Sequence, residues 1–166
     1  LLAAGHRGAV SIHSIESGRL VTVYRAHAAN GRVLAFSPDG KLVITSGEYG
    51  RGPLEFVDVA TGAHVRSLDG DPNSPFAVAY RPVGAEIATA DFDRPIVIIW
   101  DLREGRPSRV LSGHTRPIYA LAYSADGALL ASASQGGGVI VWDGATGARL
   151  LTLPRTDELT SSIVFS

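Results

Sequence analysis

Residues 118–153 read IYALAYSADGALLASASQGGGVIVWDGATGARLLTL. The first seven alternate, with Leu121 and Tyr123 on one face and Ala120 and Ala122 on the other, the period-two pattern of a half-buried strand. Ala125-Asp126-Gly127 then turns the chain, because Asp and Gly supply the local hydrogen bonds and the left-handed geometry that tight turns need. ALLASAS makes a second strand and GVIVWD a third. After the Thr146-Gly147 turn, ARLLTL makes a fourth. Apolar residues nowhere recur at i, i+3, i+4 and i+7 over a useful length, so the pattern argues against helix.

This unit recurs along the chain. Gly18, Gly62, Gly105 and Gly147 each close a similar turn at a period of about 42–44 residues. A second landmark keeps the same step: RVLAFSPDG (32–40), FAVAYRPVG (76–84), IYALAYSADG (118–127) and the shortened SSIVFS (161–166) place Phe36, Tyr80, Tyr123 and Phe165 in register. A lone four-stranded meander cannot cover both of its faces. Stacking meanders around an axis does, and small residues such as Ala35, Ala77, Ala79, Ala120 and Ala122 are expected where the strands converge. The larger Leu34, Phe36, Val78, Tyr80, Leu121 and Tyr123 are then expected between neighbouring sheets. The architecture implied is a β-propeller.

The period, the Gly113-His114 pair, the SPDG and SADG turns, and Trp100-Asp101 and Trp142-Asp143 together resemble the WD40 repeat family. The resemblance implies an all-β WD40-type propeller segment of about four blades, each of four antiparallel strands. It covers residues 1–166, with repeats at approximately 1–31 (partial), 32–75, 76–117 and 118–159, and the start of another at 160–166. It also implies a hydrogen-bonded network in each blade: a His before the first strand, a Ser or Thr on the second, an Asp in the next turn and a Trp on the third. Carried over, the network residues are His114, Ser132 and Trp142 in the fourth repeat, with Gly136 where Asp would stand. The third repeat offers Thr89, Asp93 and Trp100, with Asp71 in place of His. The second offers His27 and Thr45, with Val57 in place of Trp. In the first, His13 replaces Trp. QGGG (135–138) thus reads as a turn that has lost its acidic member and not as a reaction centre.

Composition narrows the function. The chain has 166 residues, 45% of them hydrophobic and 19% charged, which is globular. A net charge of −1 gives no electrostatic pull toward nucleic acid or anionic lipid, and no apolar run is long enough to span a bilayer. Cys is absent, which removes disulfides, thiolate metal sites and Cys nucleophiles and suits a cytoplasmic protein. Fourteen Arg against a single Lys, with abundant Ala and Gly, suggest a bacterial, GC-rich source. The N-terminus does not read as a secretory signal, and the missing initiator Met suggests a piece of a longer chain.

Candidate chemistry is sparse. The five His (6, 13, 27, 64, 114) lack metal-ligand spacing, no G-x-S-x-G elbow occurs, and neither QGGG nor GEYGRG (47–52) matches a phosphate-binding loop. No catalytic residue, cofactor or metal is therefore expected. The loops before each first strand and between second and third strands share one face of such a fold. That face carries seven Arg balanced by seven acidic residues, with aromatics among them. Arg32, Tyr49, Arg51, Phe92, Arg94, Arg116 and Tyr119 are the candidates for a protein- or peptide-binding surface, since Arg interleaved with aromatics favours binding hot spots. The expected function is a non-enzymatic interaction scaffold, part of a larger propeller. The alternatives are a self-assembling element, two chains completing an eight-bladed ring, and a propeller hydrolase.

Overall fold

A computed structural model describes residues 1–6, 9–25, 32–46, 53–68, 75–91, 93–136, 138–154 and 162–166. Its described strands are β1 (Leu2–His6), β2 (Ala9–His13), β3 (Leu20–Tyr24), β4 (Arg32–Phe36), β5 (Leu42–Ser46), β6 (Leu54–Asp58), β7 (His64–Leu68), β8 (Pro75–Tyr80), β9 (Glu86–Asp91), β10 (Ile96–Asp101), β11 (Arg106–Ser112), β12 (Ile118–Tyr123), β13 (Leu129–Ser134), β14 (Val139–Asp143) and β15 (Arg149–Leu153). They form four antiparallel meanders in chain order: β1–β3, β4–β7, β8–β11 and β12–β15. The chain divides into two compact units. Leu1–Ser74 holds the first two sheets and Pro75–Ser166 the last two.

The first sheet has three described strands, and residues 162–166 lie outside every ladder. The sequence expectation of a sixteenth strand there is not met among the described residues. A strand is defined by its partner, and residues 162–166 have the right alternation but no paired neighbour among the described residues.

Two turn chemistries recur. Between first and second strands, the Ser37 hydroxyl donates to Asp39 Oδ1 at 2.6 Å and accepts from the Leu42 amide at 2.9 Å. Ser124 repeats this arrangement with Asp126 and Leu129 at the same distances. Between third and fourth strands, Asp58 and Asp143 take the amides of Thr61 and Thr146 at 2.8 and 2.7 Å. Each such turn closes on a glycine in the left-handed region, where a Cβ is disfavoured.

Neighbouring sheets pack large side chains onto small ones. In the second unit, Trp142, Ile140 and Leu130 of the fourth sheet share one core with Ala77, Ala88, Ala90, Val97, Ile99 and Leu111 of the third, and Leu121 and Tyr123 pack against it. For one of the alanines this is a correction: Ala77 lies in the inter-sheet core together with the large residues. The reason is thickness. Sheets stack about 10 Å apart, so an indole on one face requires small residues on the face opposite. In the first unit, Ile12 and Tyr24 meet Val43, Val57 and Val59 in the same way.

The ladders also carry irregularities invisible in the residue pattern. A register shift interrupts each described first strand, between Val33 and Ala35, Pro75 and Ala77, and Ile118 and Ala120. Another falls on the third strand beside the Trp position in all four sheets.

Candidate interaction face

Each sheet is pinned by what stands at two paired positions, one on its second strand and one on its third. In the third sheet Thr89 is fully buried, and the Trp100 indole N–H donates to its hydroxyl at 2.9 Å. Asp93 is exposed, and no hydrogen bond joins it to this pair. In the fourth sheet the Trp142 indole donates to Ser132 Oγ at 2.8 Å, and His114 Nε2 lies 2.7 Å from the same oxygen. A buried hydroxyl with two acceptor sites and one proton can satisfy both neighbours. Gly113, just before His114, lies close under this network: a Cβ there would come within 3.2 Å of Ile140 and 3.3 Å of Trp142, so both side chains would have to give by a few tenths of an ångström.

The first two sheets lack Trp and solve the same problem differently. Val57 faces Val43 where Trp100 faces Ile87, and Glu55 stands beside Thr45 where Ile98 stands beside Thr89. Tyr24, arriving from the end of β3, packs against Val57, and its hydroxyl donates to Glu55 Oε2 at 3.0 Å. Burial and the neighbouring carboxylate push the Tyr24 phenol well above its ordinary value. In the first sheet Ala4 takes the hydroxyl position, and the polar pair sits on a single strand: His13 Nε2 lies 3.1 Å from Ser11 Oγ. Neither compensation was legible in the sequence, because both depend on cross-strand and cross-sheet neighbours. His27 lies outside the described residues.

The strand irregularities place the surface aromatics. Tyr119 and Phe76 are the residues passed over by the register shifts of β12 and β8, and a bulge turns such a side chain away from the regular pleat. Their rings meet edge to face, with centroids 5.4 Å apart, a favoured aromatic geometry. Both are half-buried. Phe76 was not a candidate from sequence, where it reads only as the start of a strand.

Arg116 is exposed on the loop leading into β12, with its guanidinium against Gly136 of the QGGG turn. That turn is tied to the same loop, since the Gln135 amide donates to the Pro117 carbonyl at 2.9 Å. Arg94 lies on the β9–β10 connection. Arg32 is on β4, its backbone paired with Ser46. Tyr49, Arg51 and Phe92 lie outside the described residues. The structure therefore brings Tyr119 together with Phe76, and places Arg116 on the loop that delivers Tyr119.

The acidic turn residues are not poised for proton transfer. Asp58, Asp101 and Asp143 are held below the ordinary carboxylate value, chiefly by the hydrogen bonds they accept across their own turns. Among the described residues no three His, Asp or Glu side chains gather in a way that could hold a metal ion. Among the described residues there is no helix long and apolar enough to cross a membrane.

Comparison with known proteins agrees with this geometry. Residues 18–51 and 105–143 match the WD40 family, described as WD domain, G-beta repeat. This is a WD40-repeat domain. Its four sheets are WD40-type blades. It is 30% identical over 81% of its length to WD repeat-containing protein SL1-17 of Schistosoma mansoni, of which the match covers 43%. It is 29% identical over 94% of its length to WD repeat-containing protein slp1 of Schizosaccharomyces pombe, covering 32% of that protein. It is 25% identical over 86% of its length to Periodic tryptophan protein 2 homolog of Dictyostelium discoideum, covering 16%. The chain thus spans less than half the length of these relatives. As a WD40-type domain it belongs to a class of protein-interaction and scaffold modules.

Proposed function

We propose that this WD40-repeat domain docks a protein or peptide, in the cytoplasm, on the face bearing Phe76, Tyr119, Arg116 and Arg94. The observation carrying this reading is the Phe76–Tyr119 pair, two half-buried rings set in contact by strand bulges. Regular pleating would bury such rings or point them apart. Holding them at the surface on rigid strands lowers the ordering cost of binding, and an aromatic platform beside an exposed Arg has hot-spot character. The test compares proteins retained by the wild-type domain with those retained by F76A/Y119A and by R94A/R116A, with far-ultraviolet circular dichroism confirming the fold. Loss of a specific partner from the folded variants supports the reading. Identical retention by all three sinks it.

A second reading concerns completion of the propeller. Leu151 and Leu153 of β15 are 51% and 41% exposed and share a face with the half-buried Val139 and Val141. Val97, Ile99 and Leu111 occupy the corresponding face of the third blade, and there it is covered by the fourth. We read the β15 face as the seat of a further blade, supplied by a longer polypeptide or by a second copy that completes an eight-bladed ring. Light scattering across a concentration series separates the two. A mass that stays at about 17 kDa throughout excludes the second copy.

A further inference from the structure

The third blade departs from the second and fourth at Arg81, Val83 and Glu86, and at Arg109 from the fourth, the second having Arg66 paired with Phe56 at that place. The backbone pairing that sets Ser37 against Leu42 and Ser124 against Leu129 sets Arg81 against Glu86. Val83 stands where those turns have Asp39 and Asp126, so the local Ser–Asp lock is missing. On β11, Arg109 pairs with Ile99 where Leu151 pairs with Val141.

These substitutions are coordinated. Glu86 Oε2 accepts from Arg81 Nη1 at 2.8 Å, and Oε1 accepts from Arg109 Nη2 at 2.6 Å. Each guanidinium then crosses to the fourth blade. Arg81 Nε donates to the Gly127 carbonyl at 3.1 Å, and Arg109 Nη1 donates to the Ala145 carbonyl. Both acceptors lie in tight turns that the fourth blade forms with its own residues. The three charged side chains are only 18–27% exposed, so water screens them incompletely. Tyr123 lies within reach of their fields, its phenol pushed up to about 12 by burial and then by the Glu86 charge.

We propose that Arg81, Glu86 and Arg109 form an electrostatic clasp that makes the third and fourth blades open and close as one unit. The clasp grips beyond the C-terminal end of β8, whereas Phe76 sits at the start of that strand, against Tyr119 of the other blade. The third blade has exchanged a turn lock within itself for a lock onto its neighbour. The clasp thereby holds the two rings in contact from the opposite end of the same interface. This coupling is a property of the fold and stands whether or not the rings bind a partner.

Amide hydrogen exchange on the whole chain tests it. In the wild type, protected amides of β8, β9, β12 and β13 should exchange at matching rates. Those rates should quicken together by roughly tenfold between about 0.05 M and about 1 M NaCl, because salt screens a part-exposed charge cluster. E86Q should show the faster rates already at low salt. The variant R81S/V83D/E86L/R109L installs the fourth blade's own residues at the equivalent positions and rebuilds the Ser-Pro-Asp-Gly turn of 37–40. It should stay folded and lose the salt response. Wild-type rates that ignore salt, or E86Q rates equal to wild type, overturn the clasp. So does a salt response that survives in the fourfold variant.

Discussion

The Tyr24 hydroxyl reaches from the last residue of β3 to Glu55 on β6, 3.0 Å away, in the blade where Val57 stands in place of Trp. A long side chain from the first blade thus packs with Val57 and makes a polar contact of its own, to Glu55 on the third strand of the second blade. Removing only the hydroxyl, as Y24F, should cost about 1 kcal/mol, because Glu55 then keeps its burial and loses a donor. Converting both partners, as Y24F/E55I, should recover most of that loss. Urea unfolding of the two variants decides the point, and a double variant weaker than the single one contradicts it.

Ser132 is the hinge of the corresponding network in the fourth blade. S132A leaves the Trp142 indole N–H buried without its acceptor, and the expected loss is ~1–3 kcal/mol. T89A should behave alike through Trp100. Chemical denaturation with tryptophan fluorescence reads both directly, since Trp100 and Trp142 are the two tryptophans of the chain.

Stability should fall at both extremes of pH, for opposite reasons. Tyr123, and Tyr24 in the same direction, have raised values in the folded state. The stabilisation they carry is complete below the ordinary tyrosine value of 10.0 and is lost as pH climbs toward about 12. Asp39, Asp58, Asp101, Asp126 and Asp143 are lowered, so their contribution holds above 3.8 and disappears as pH falls below it. A melting-temperature profile should show both limbs, and Y123F should flatten the alkaline one.

Two turn glycines with the same backbone geometry should differ in their tolerance of alanine. Gly105 and Gly147 have φ of 67° and 77°. A Cβ at Gly105 meets nothing within 4 Å, whereas at Gly147 it would lie 2.5 Å from Leu111 Cδ2. G105A should therefore cost about 1–2 kcal/mol from the left-handed backbone alone. G147A should cost more, because Leu111 belongs to the core between the two blades. Equal losses in thermal unfolding would show that Leu111 moves aside freely.

The amino-acid order by itself determined the repeat, the strands and the turns. These are local matters: alternation chooses the strand faces, and Ser-Pro-Asp-Gly or Asp-x-x-Thr-Gly closes a turn with atoms only a few residues apart. Through the resemblance to the WD40 family it also marked Ser132, Thr89 and both tryptophans. Tertiary structure alone decided how blades without Trp are held, why alanines face indoles, and that Phe76 meets Tyr119. Those outcomes depend on single-residue register shifts and on side chains from the adjacent blade. The same holds for Arg81, Glu86 and Arg109, which look like three unrelated surface charges in the linear chain. Only the packing of one sheet on the next brings two cations onto one carboxylate, where limited access to water lets the attraction count.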